Sequence, residues 1–213
     1  ERSSMFIVDI DHPGLELVRD IGVMGDYSEG GHWELRFHNC RVHESSMLGN
    51  PGEGFKLAQM RLGPGRITHA MRWLGVMNRS FDLMVNYALK RKTRGKPLAE
   101  FQTIQNFVAD SAAEIASARL LTLHAAWKMD QGEDARKEIS LIKFHGAKII
   151  NDVINRAIQV HGSLGYSKDT PLEAFYRESR AAHIYDGPDE VHRMVVAKRI
   201  FKEYKQKEEK VKS

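Results

Sequence analysis

The chain has 213 residues, of which 42% are hydrophobic and 28% are charged, a balance typical of a globular protein and not of a disordered one. Its 32 basic residues are nearly matched by 28 acidic ones, so the net charge of +4 does not predict nucleic-acid binding, although it suits an anionic, nucleotide-bearing ligand. Cys40 is the single cysteine, which excludes an intrachain disulfide and fits a reducing compartment, and no apolar run is long enough to span a bilayer.

The first 50 residues are predicted to be rich in β-structure. Met5–Val8 and the alternating Trp33–Phe37 have the composition of strands. Turn-forming residues lie between them at His12–Gly14 and Ser28–Gly31. Asn50–Gly54 then separates this segment from a second one of different character.

After residue 50 the apolar residues recur at helical spacing. We predict helices over about Phe55–Leu89, Phe101–Met129 and Asp134–His161, a short one opened by Pro171, and a last one from Asp189 towards Tyr204. Gly63–Gly65 predicts a kink or break in the first helix, and residues 206–213 a charged tail. The expected fold is mainly α: an antiparallel helical bundle over 51–205, preceded by a β-segment over 1–50, so α+β as a whole.

The segment Tyr185–Glu190 holds the sharpest candidate for chemistry. An acidic residue, Asp186, stands at a helix break beside Gly187, where a ligand could approach closely, so it could act as a base. The pattern alone favours another interpretation, in which Asp-Gly-Pro forms a turn, Asp189 caps the last helix and Glu190 stabilises its first turn.

Two further segments also allow two interpretations. The cations of Arg91–Lys96 could complement the dipole of the helix that they follow, or bind a pyrophosphate. His161–Gly165 follows a helix, so it lacks the strand-to-helix context of a dinucleotide-binding loop. A di-metal site is not expected, because Glu190 and His192 have the wrong spacing for a Glu-x-x-His pair.

These segments, together with several others, occur in an order that resembles a known protein family. The motifs are Glu34-Leu35-Arg36-Phe37, Met47-Leu48-Gly49, Gly52-Glu53-Gly54-Phe55, Gly65-Arg66-Ile67, Tyr87 to Leu98, Gln159 to Tyr166, and Ile184-Tyr185-Asp186-Gly187. Together they resemble the C-terminal portion of acyl-CoA dehydrogenases over essentially the whole chain. Leu62–Ile67 and Gly187–His192 are most similar to the branch that includes family members ten and eleven and its bacterial relatives.

The resemblance implies a fold, an activity and partners. Residues 1–50 would end a middle β-barrel-like domain, and 51–205 would form the C-terminal bundle. The implied reaction is FAD-dependent α,β-dehydrogenation of an acyl-CoA thioester, by proton abstraction and hydride transfer to flavin. Homodimers or homotetramers that share the FAD site between subunits are expected, with an electron-acceptor flavoprotein or oxygen as oxidant. A eukaryotic member is expected in the mitochondrial matrix or the peroxisome, and a bacterial one in the cytoplasm.

The resemblance also implies roles for single residues. Asp186 matches the catalytic base. The acyl-CoA contacts would be Gly63, Arg66, Tyr185 and Gly187. The FAD contacts would be Arg91, Lys92, Thr93, Gln102, Gln159, Val160, His161, Gly162, Ser163, Pro188, Asp189 and Glu190.

Two departures from the family pattern bear on activity. Asp186 stands where most members have Glu, which withdraws the carboxylate by about one C–C bond. Members also begin with a helical domain and the first half of the β-domain, so this chain is expected to hold part of an active site and to bind FAD poorly when isolated. The alternatives are a non-catalytic helical interaction module of the same lineage and a helical scaffold without a ligand.

Overall fold

The computed structural model describes residues 2–24 and 31–212. Most of the turn predicted at Ser28–Gly31, and the last residue of the predicted tail, lie outside these residues. Residues 1–64 and 65–213 form two compact units, and each is described by itself.

The described residues of the first unit form two small antiparallel sheets. Strand β1 (Met5–Phe6) pairs with β4 (Met47–Leu48), and β2 (Leu15–Ile21) pairs with β3 (His32–Phe37). The β2–β3 register runs from Leu15 opposite Phe37 to Ile21 opposite His32, with an irregularity between Leu17 and Arg19. The predicted strands at Met5 and Trp33 are therefore present.

Strand β2 is absent from the sequence-based prediction. Its sequence, Leu15-Glu16-Leu17-Val18-Arg19-Asp20-Ile21, carries three charges, which lowers its intrinsic preference for a strand. The pairing with β3 determines its conformation, supported by the ion pair between Arg19 Nε and Glu34 Oε2 at 2.8 Å. A contact between positions 15 residues apart leaves little trace in a local pattern.

The sequence predicts a kink or a break at Gly63–Gly65, but helix α1 runs over Gly54–Lys90, so the break is not formed. Pro64 lacks a backbone N–H and cannot donate to the preceding turn, but the helix continues on both sides of it. The predicted helix bounds, Phe55–Leu89, are otherwise confirmed within one residue at each end.

The second unit is a helical bundle, as the sequence predicts. Beyond α1 it contains β5 (Lys92–Thr93), β6 (Lys96–Pro97), α2 (Gln102–Asp130), α3 (Arg136–His161), α4 (Ser163–Tyr166), α5 (Leu172–Ser179) and α6 (Asp189–Lys212). A 3₁₀ turn, Arg180–His183, follows α5. Helix α6 continues well past Tyr204, because the Lys/Glu/Gln sequence that follows has high helix propensity although it is exposed.

Helix α3 lies at the centre of this unit. Apolar side chains are buried around most of its circumference, in contrast to α1 and α2, which bury one stripe each. The buried stripe of α1 recurs every three or four residues and is apolar except for one serine: Ile67, Ala70, Trp73, Met77, Ser80, Met84 and Ala88. Complete burial of a side chain such as Ile149 or Ile154 contributes about 1.5–3 kcal/mol each, so this central helix holds the bundle together.

Within 2–24 and 31–212, no helix has both the length and the apolar composition needed to cross a membrane. In the same ranges, His, Cys, Asp and Glu form no group of three or more placed to hold a metal ion.

Candidate active site

Asp186 lies in the loop between the 3₁₀ turn and α6, in a backbone conformation that is unusual for it. Its φ is +55°, in the left-handed region, and Gly187 follows at φ +99°. A non-glycine residue at positive φ is strained unless its surroundings hold it there, and such residues concentrate at functional sites. The sequence-based interpretation of a turn at Asp186–Pro188 is compatible with this conformation.

The backbone carbonyl of Asp186 is held from two helices. Arg66 on α1 donates from Nε at 2.9 Å and from Nη2 at 2.7 Å, and His192 on α6 lies with Nε2 at 3.1 Å. Burial lowers the pKa of the Arg66 guanidinium, with Asp186 opposing the shift, and burial is also the main cause of the lowered pKa of His192. These three donors fix the strained residue in place.

The carboxylate of Asp186 is one-fifth exposed and has one described partner. Its Oδ2 lies 3.0 Å from Nε2 of His69 on α1. Among the described residues, no hydrogen bond or ion pair to Oδ1 is formed. One carboxylate oxygen is therefore held while the other remains available to accept a proton.

Aromatic rings form the inner side of this site. The Tyr185 ring lies 4.6 Å from the His69 ring, and the hydroxyl of Tyr185 accepts a hydrogen bond from Nε1 of Trp73 at 2.8 Å. Lys143 of α3 is fully buried behind them, with Nζ 5.4 Å from the Tyr185 ring and 5.6 Å from the Trp73 ring. Nζ of Lys143 donates to the Ala182 carbonyl at 2.5 Å, and burial lowers its pKa to about 8.

Asp189, the next carboxylate after Asp186 in the chain, is held by contacts within the chain through its Oδ2 atom. Its Oδ2 lies 2.7 Å from Nδ1 of His183 and 3.4 Å from Nη1 of Arg193, and the residue is 6% exposed. It is the first residue of α6, near the predicted cap position, while Pro188 and Glu190 beside it are exposed. Asp186 is thus the more accessible of the two.

The predicted phosphate-binding residues Arg91–Thr93 lie in an exposed hairpin after α1. Strands β5 and β6 pair Lys92 with Pro97, and Arg94 and Gly95 at the turn both have positive φ. Within the described part of the chain, the side chains of Arg91 and Lys92 form no ion pair or hydrogen bond, so both cations are available to an anion. Gln102, the first residue of α2, is exposed as well.

The predicted residues Gln159–Ser163 surround the end of α3 and separate into two groups. Gln159, Gly162 and Ser163 are exposed, whereas the side chains of Val160 and His161 are buried. His161 donates from Nδ1 to the Ala157 carbonyl at 2.8 Å and stacks on the Tyr87 ring at 4.3 Å. That stack places the end of α3 beside the end of α1, where the hairpin begins.

The predicted residues therefore occupy two separate regions of the second unit. Arg66, Tyr185, Asp186 and Gly187 come together, whereas Arg91 follows the far end of α1. At 1.5 Å per residue, Arg66 and Lys90 are about 36 Å apart along α1. Gly63 also lies on α1, within the first unit.

The structure adds four residues that the sequence-based interpretation assigned no role in this cluster: His69, Arg72, Trp73 and Lys143. His69 and Trp73 follow Arg66 at intervals of three and four, so a helical wheel of α1 places them on one face. Lys143 gives a weaker signal, as a cation within the apolar sequence of α3.

The fold and the cluster define a helical-bundle domain in which Asp186 presents a partly exposed carboxylate. The half-buried Arg66 and the buried His192 hold the backbone carbonyl of this residue. Comparisons with known proteins then identify its family. The model of the family "Acyl-CoA dehydrogenase, C-terminal domain" matches residues 52–201. The chain therefore belongs to the acyl-CoA dehydrogenase family.

Relatives and solved structures agree with this assignment. The chain is 47% identical over 200 residues to a probable acyl-CoA dehydrogenase, FadE2, of Mycobacterium tuberculosis, covering 93% of the chain and 49% of that protein. It is 43% identical to acyl-CoA dehydrogenase family member 11 of Rattus norvegicus, covering 92% of the chain and 26% of the relative. The predicted likeness to the branch of members ten and eleven is thus confirmed.

Solved structures also share the fold. A putative acyl-CoA dehydrogenase from Mycobacterium abscessus superposes with a TM-score of 0.90 at 41% identity, covering 94% of the chain and 50% of that protein. Butyryl-CoA dehydrogenase from Megasphaera elsdenii gives 0.86 at 32% identity, covering 93% and 51%. The chain spans about half the length of these proteins or less.

Proposed function

We propose that the chain is the C-terminal part of an FAD-dependent acyl-CoA dehydrogenase, in which Asp186 removes the α-proton of an acyl-CoA thioester. The observation that carries this proposal is the conformation of Asp186 and the contacts of its carbonyl and carboxylate. It is held at positive φ by donors on its carbonyl, with Oδ2 bonded to His69 and Oδ1 available. Among the described residues, the Asp186 carboxylate forms no ion pair with a Lys or Arg side chain. A carboxylate that is held at a strained backbone position without such a pair suits a catalytic base.

The chain's own residues perform the proton transfer. The bond between the α-carbon and its hydrogen breaks, the proton moves to Oδ1 of Asp186, and the electron pair remains on the thioester as an enolate-like charge. Bound FAD supplies the acceptor for the hydride that leaves the β-carbon, so the substrate is oxidised by two electrons. Arg66 and His192 hold the backbone of Asp186 so that its carboxylate keeps one position during the transfer.

The family resemblance predicts that Arg66 contacts the acyl-CoA, but two nitrogen atoms of its guanidinium group are already in use. Nε and Nη2 of Arg66 both bond to the Asp186 carbonyl, so these two atoms act on the base itself. Gly187 has no side chain beside this pair, and a Cβ there would lie 3.0 Å from Nε2 of His192. Tyr185 is half-buried beside the base, where its ring can line an acyl pocket.

The exposed hairpin has the charge that is needed to bind the pyrophosphate of FAD. Arg91 and Lys92 offer unpaired cationic donors there, and Gln159, Gly162 and Ser163 are exposed at the adjacent end of α3. Since about 36 Å of α1 separates Arg66 from the hairpin, we propose that these residues serve the FAD of a neighbouring subunit. Self-association would then be required for a complete site, and an electron-acceptor flavoprotein or oxygen would take the electrons from FAD.

Flavin reduction in the full-length protein tests the role of Asp186. Mixing with an acyl-CoA should bleach the flavin absorbance, and Asp186→Asn should abolish the bleaching while the protein retains its FAD. Glu178→Gln, which changes an exposed carboxylate on α5, is the matched control and should bleach normally. Normal bleaching in Asp186→Asn would refute the assignment of the base.

FAD affinity tests the role of the hairpin. Arg91→Gln and Lys92→Gln should each weaken FAD binding, more at low than at high salt, because an exposed charge contact is screened by ions. Lys198→Gln removes an exposed cation of α6 and should leave the affinity unchanged. If all three variants bind FAD equally well, the hairpin does not hold the phosphates. A folded protein that ignores FAD altogether would favour the non-catalytic interaction module.

A further inference from the structure

His69 connects the accessible carboxylate to a surface cation. On one side, its Nε2 lies 3.0 Å from Oδ2 of Asp186. On the other, Nη2 of Arg72, one turn further along α1, hydrogen-bonds to Nδ1. The imidazole is about one-fifth exposed and lies against the Tyr185 ring. The three polar groups therefore form a row: guanidinium, imidazole, carboxylate.

The chemistry of Arg72 determines which nitrogen of His69 carries the hydrogen. A guanidinium can only donate, so Nδ1 must accept and carries no hydrogen. Burial, with a further contribution from Arg72, lowers the pKa of His69, while Asp186 opposes the shift. The ring is therefore neutral at pH 7, and its single N–H, on Nε2, donates to the carboxylate.

We propose that His69 is a positioning residue for the base: its Nε2–H holds Oδ2 of Asp186, so that Oδ1 is presented to the substrate, and Arg72 fixes the required tautomer. This rests on the proposed function in that Asp186 is taken as the base. Aspartate has one side-chain carbon fewer than glutamate and a freely rotating carboxylate. A hydrogen-bond donor on Oδ2 removes that rotational freedom, so that Oδ1 points in one direction.

The backbone contacts alone do not provide this control. Arg66 and His192 act on the carbonyl of Asp186, which sets the position of its Cα but not the rotation of its carboxylate. Lys143 is bonded to the Ala182 carbonyl and not to Asp186. Among the described residues, His69 is the one whose side chain hydrogen-bonds to the Asp186 carboxylate.

Three variants of the full-length flavoprotein separate positioning from packing. His69→Leu keeps an apolar side chain against Tyr185 but removes the donor, whereas His69→Gln keeps an N–H donor at similar reach. Arg72→Met keeps His69 but releases the control of its tautomer. Each is compared by stopped-flow measurement of flavin bleaching with an acyl-CoA, with FAD content and thermal midpoint measured in parallel.

We expect His69→Leu to slow flavin reduction by about 100-fold, since misplacement of a reacting group by about 1 Å has an effect of this size. His69→Gln should recover most of the rate, with FAD content unchanged in both. The α-deuterium isotope effect on flavin reduction should rise in His69→Leu, because proton removal becomes the slower step. Equal losses in the Leu and Gln variants, or no loss in either, would overturn the positioning role.

A measurement without turnover makes the test independent of the proposed function. In ¹⁵N spectra of the histidines, Nδ1 of His69 should appear as an unprotonated acceptor and Nε2 as protonated, and Arg72→Met should mix the two tautomers. The opposite tautomer, or an imidazolium at pH 7, would overturn the proposal. Asp186→Asn separates the two claims: full flavin reduction there refutes Asp186 as the base, whereas its loss together with a normal His69→Leu refutes only the positioning role.

Discussion

The buried cation of Lys143 should make the stability of the protein rise with pH in the alkaline range. Lys143 is fully buried in α3, with Nζ bonded to the Ala182 carbonyl. Burial lowers its pKa from 10.5 to about 8, although the charges of Asp189 and Asp186 oppose the shift. The folded state therefore carries the cost of a partly desolvated ammonium group.

The sign and size of the effect follow from that pKa. Below about pH 8 the folded and unfolded states both hold the proton, and the folded state bears the whole cost. Between about pH 8 and pH 10.5 the unfolded state binds more protons, so the free energy of unfolding rises with pH. At about 1.4 kcal/mol per pKa unit, the increase from this group is roughly 3 kcal/mol.

Lys143→Met isolates this contribution, because methionine has a similar length and no proton to lose. Urea unfolding followed by circular dichroism, at pH values across that interval, gives the free energy of unfolding of each protein. The wild-type value minus the Lys143→Met value should rise by roughly 3 kcal/mol. Lys148→Met, on the exposed face of α3, is the control and should show no such trend. A flat difference for Lys143→Met would mean that water reaches the ammonium group and that the reasoning is wrong.

Two further predictions concern stability. Gly187→Ala should destabilise the protein by about 1–3 kcal/mol, because φ is +99° and the new Cβ would lie 3.0 Å from Nε2 of His192. Gly75 lies in α1 with open space around it, so Gly75→Ala should instead stabilise the protein by up to about 1 kcal/mol. Thermal unfolding midpoints that shift in the same direction in both variants would contradict this pair of predictions. Arg156→Met should cost about 1–3 kcal/mol, because it removes the paired hydrogen bonds to Glu114 that join α3 to α2, whereas Lys148→Met should stay within about 0.5 kcal/mol. Equal urea midpoints for Arg156→Met and wild type would show that this pair contributes nothing to stability.

The helices could be predicted because their signals are local. Apolar residues three or four apart mark α2 and α3, Gly162 marks the end of α3, and Pro171 marks the start of α5. The continuation of α1 through Pro64 was not predictable in this way, because the lost hydrogen bond is offset by the turns on both sides.

The site was predictable only in part, for the same physical reason. Asp186 stood out through its helix break and its place in an ordered series of motifs. His69 of α1 hydrogen-bonds to Asp186 from 117 positions away in the chain, and Lys143 of α3 lies against the Tyr185 ring from 42 positions away. No local pattern records such contacts. Lysine side chains are usually exposed, so the burial of Lys143 in α3 could not be expected from its residue type.

The most direct test of Asp186 as the base follows the α-proton itself. When an acyl-CoA is incubated in D₂O with the full-length flavoprotein, deuterium should enter the α-carbon, as detected by mass spectrometry, because proton removal by Asp186 is reversible. Asp186→Asn should abolish the exchange, while Asp186→Glu, which restores a carboxylate, should retain some of it. Exchange at the wild-type rate in Asp186→Asn would contradict the account.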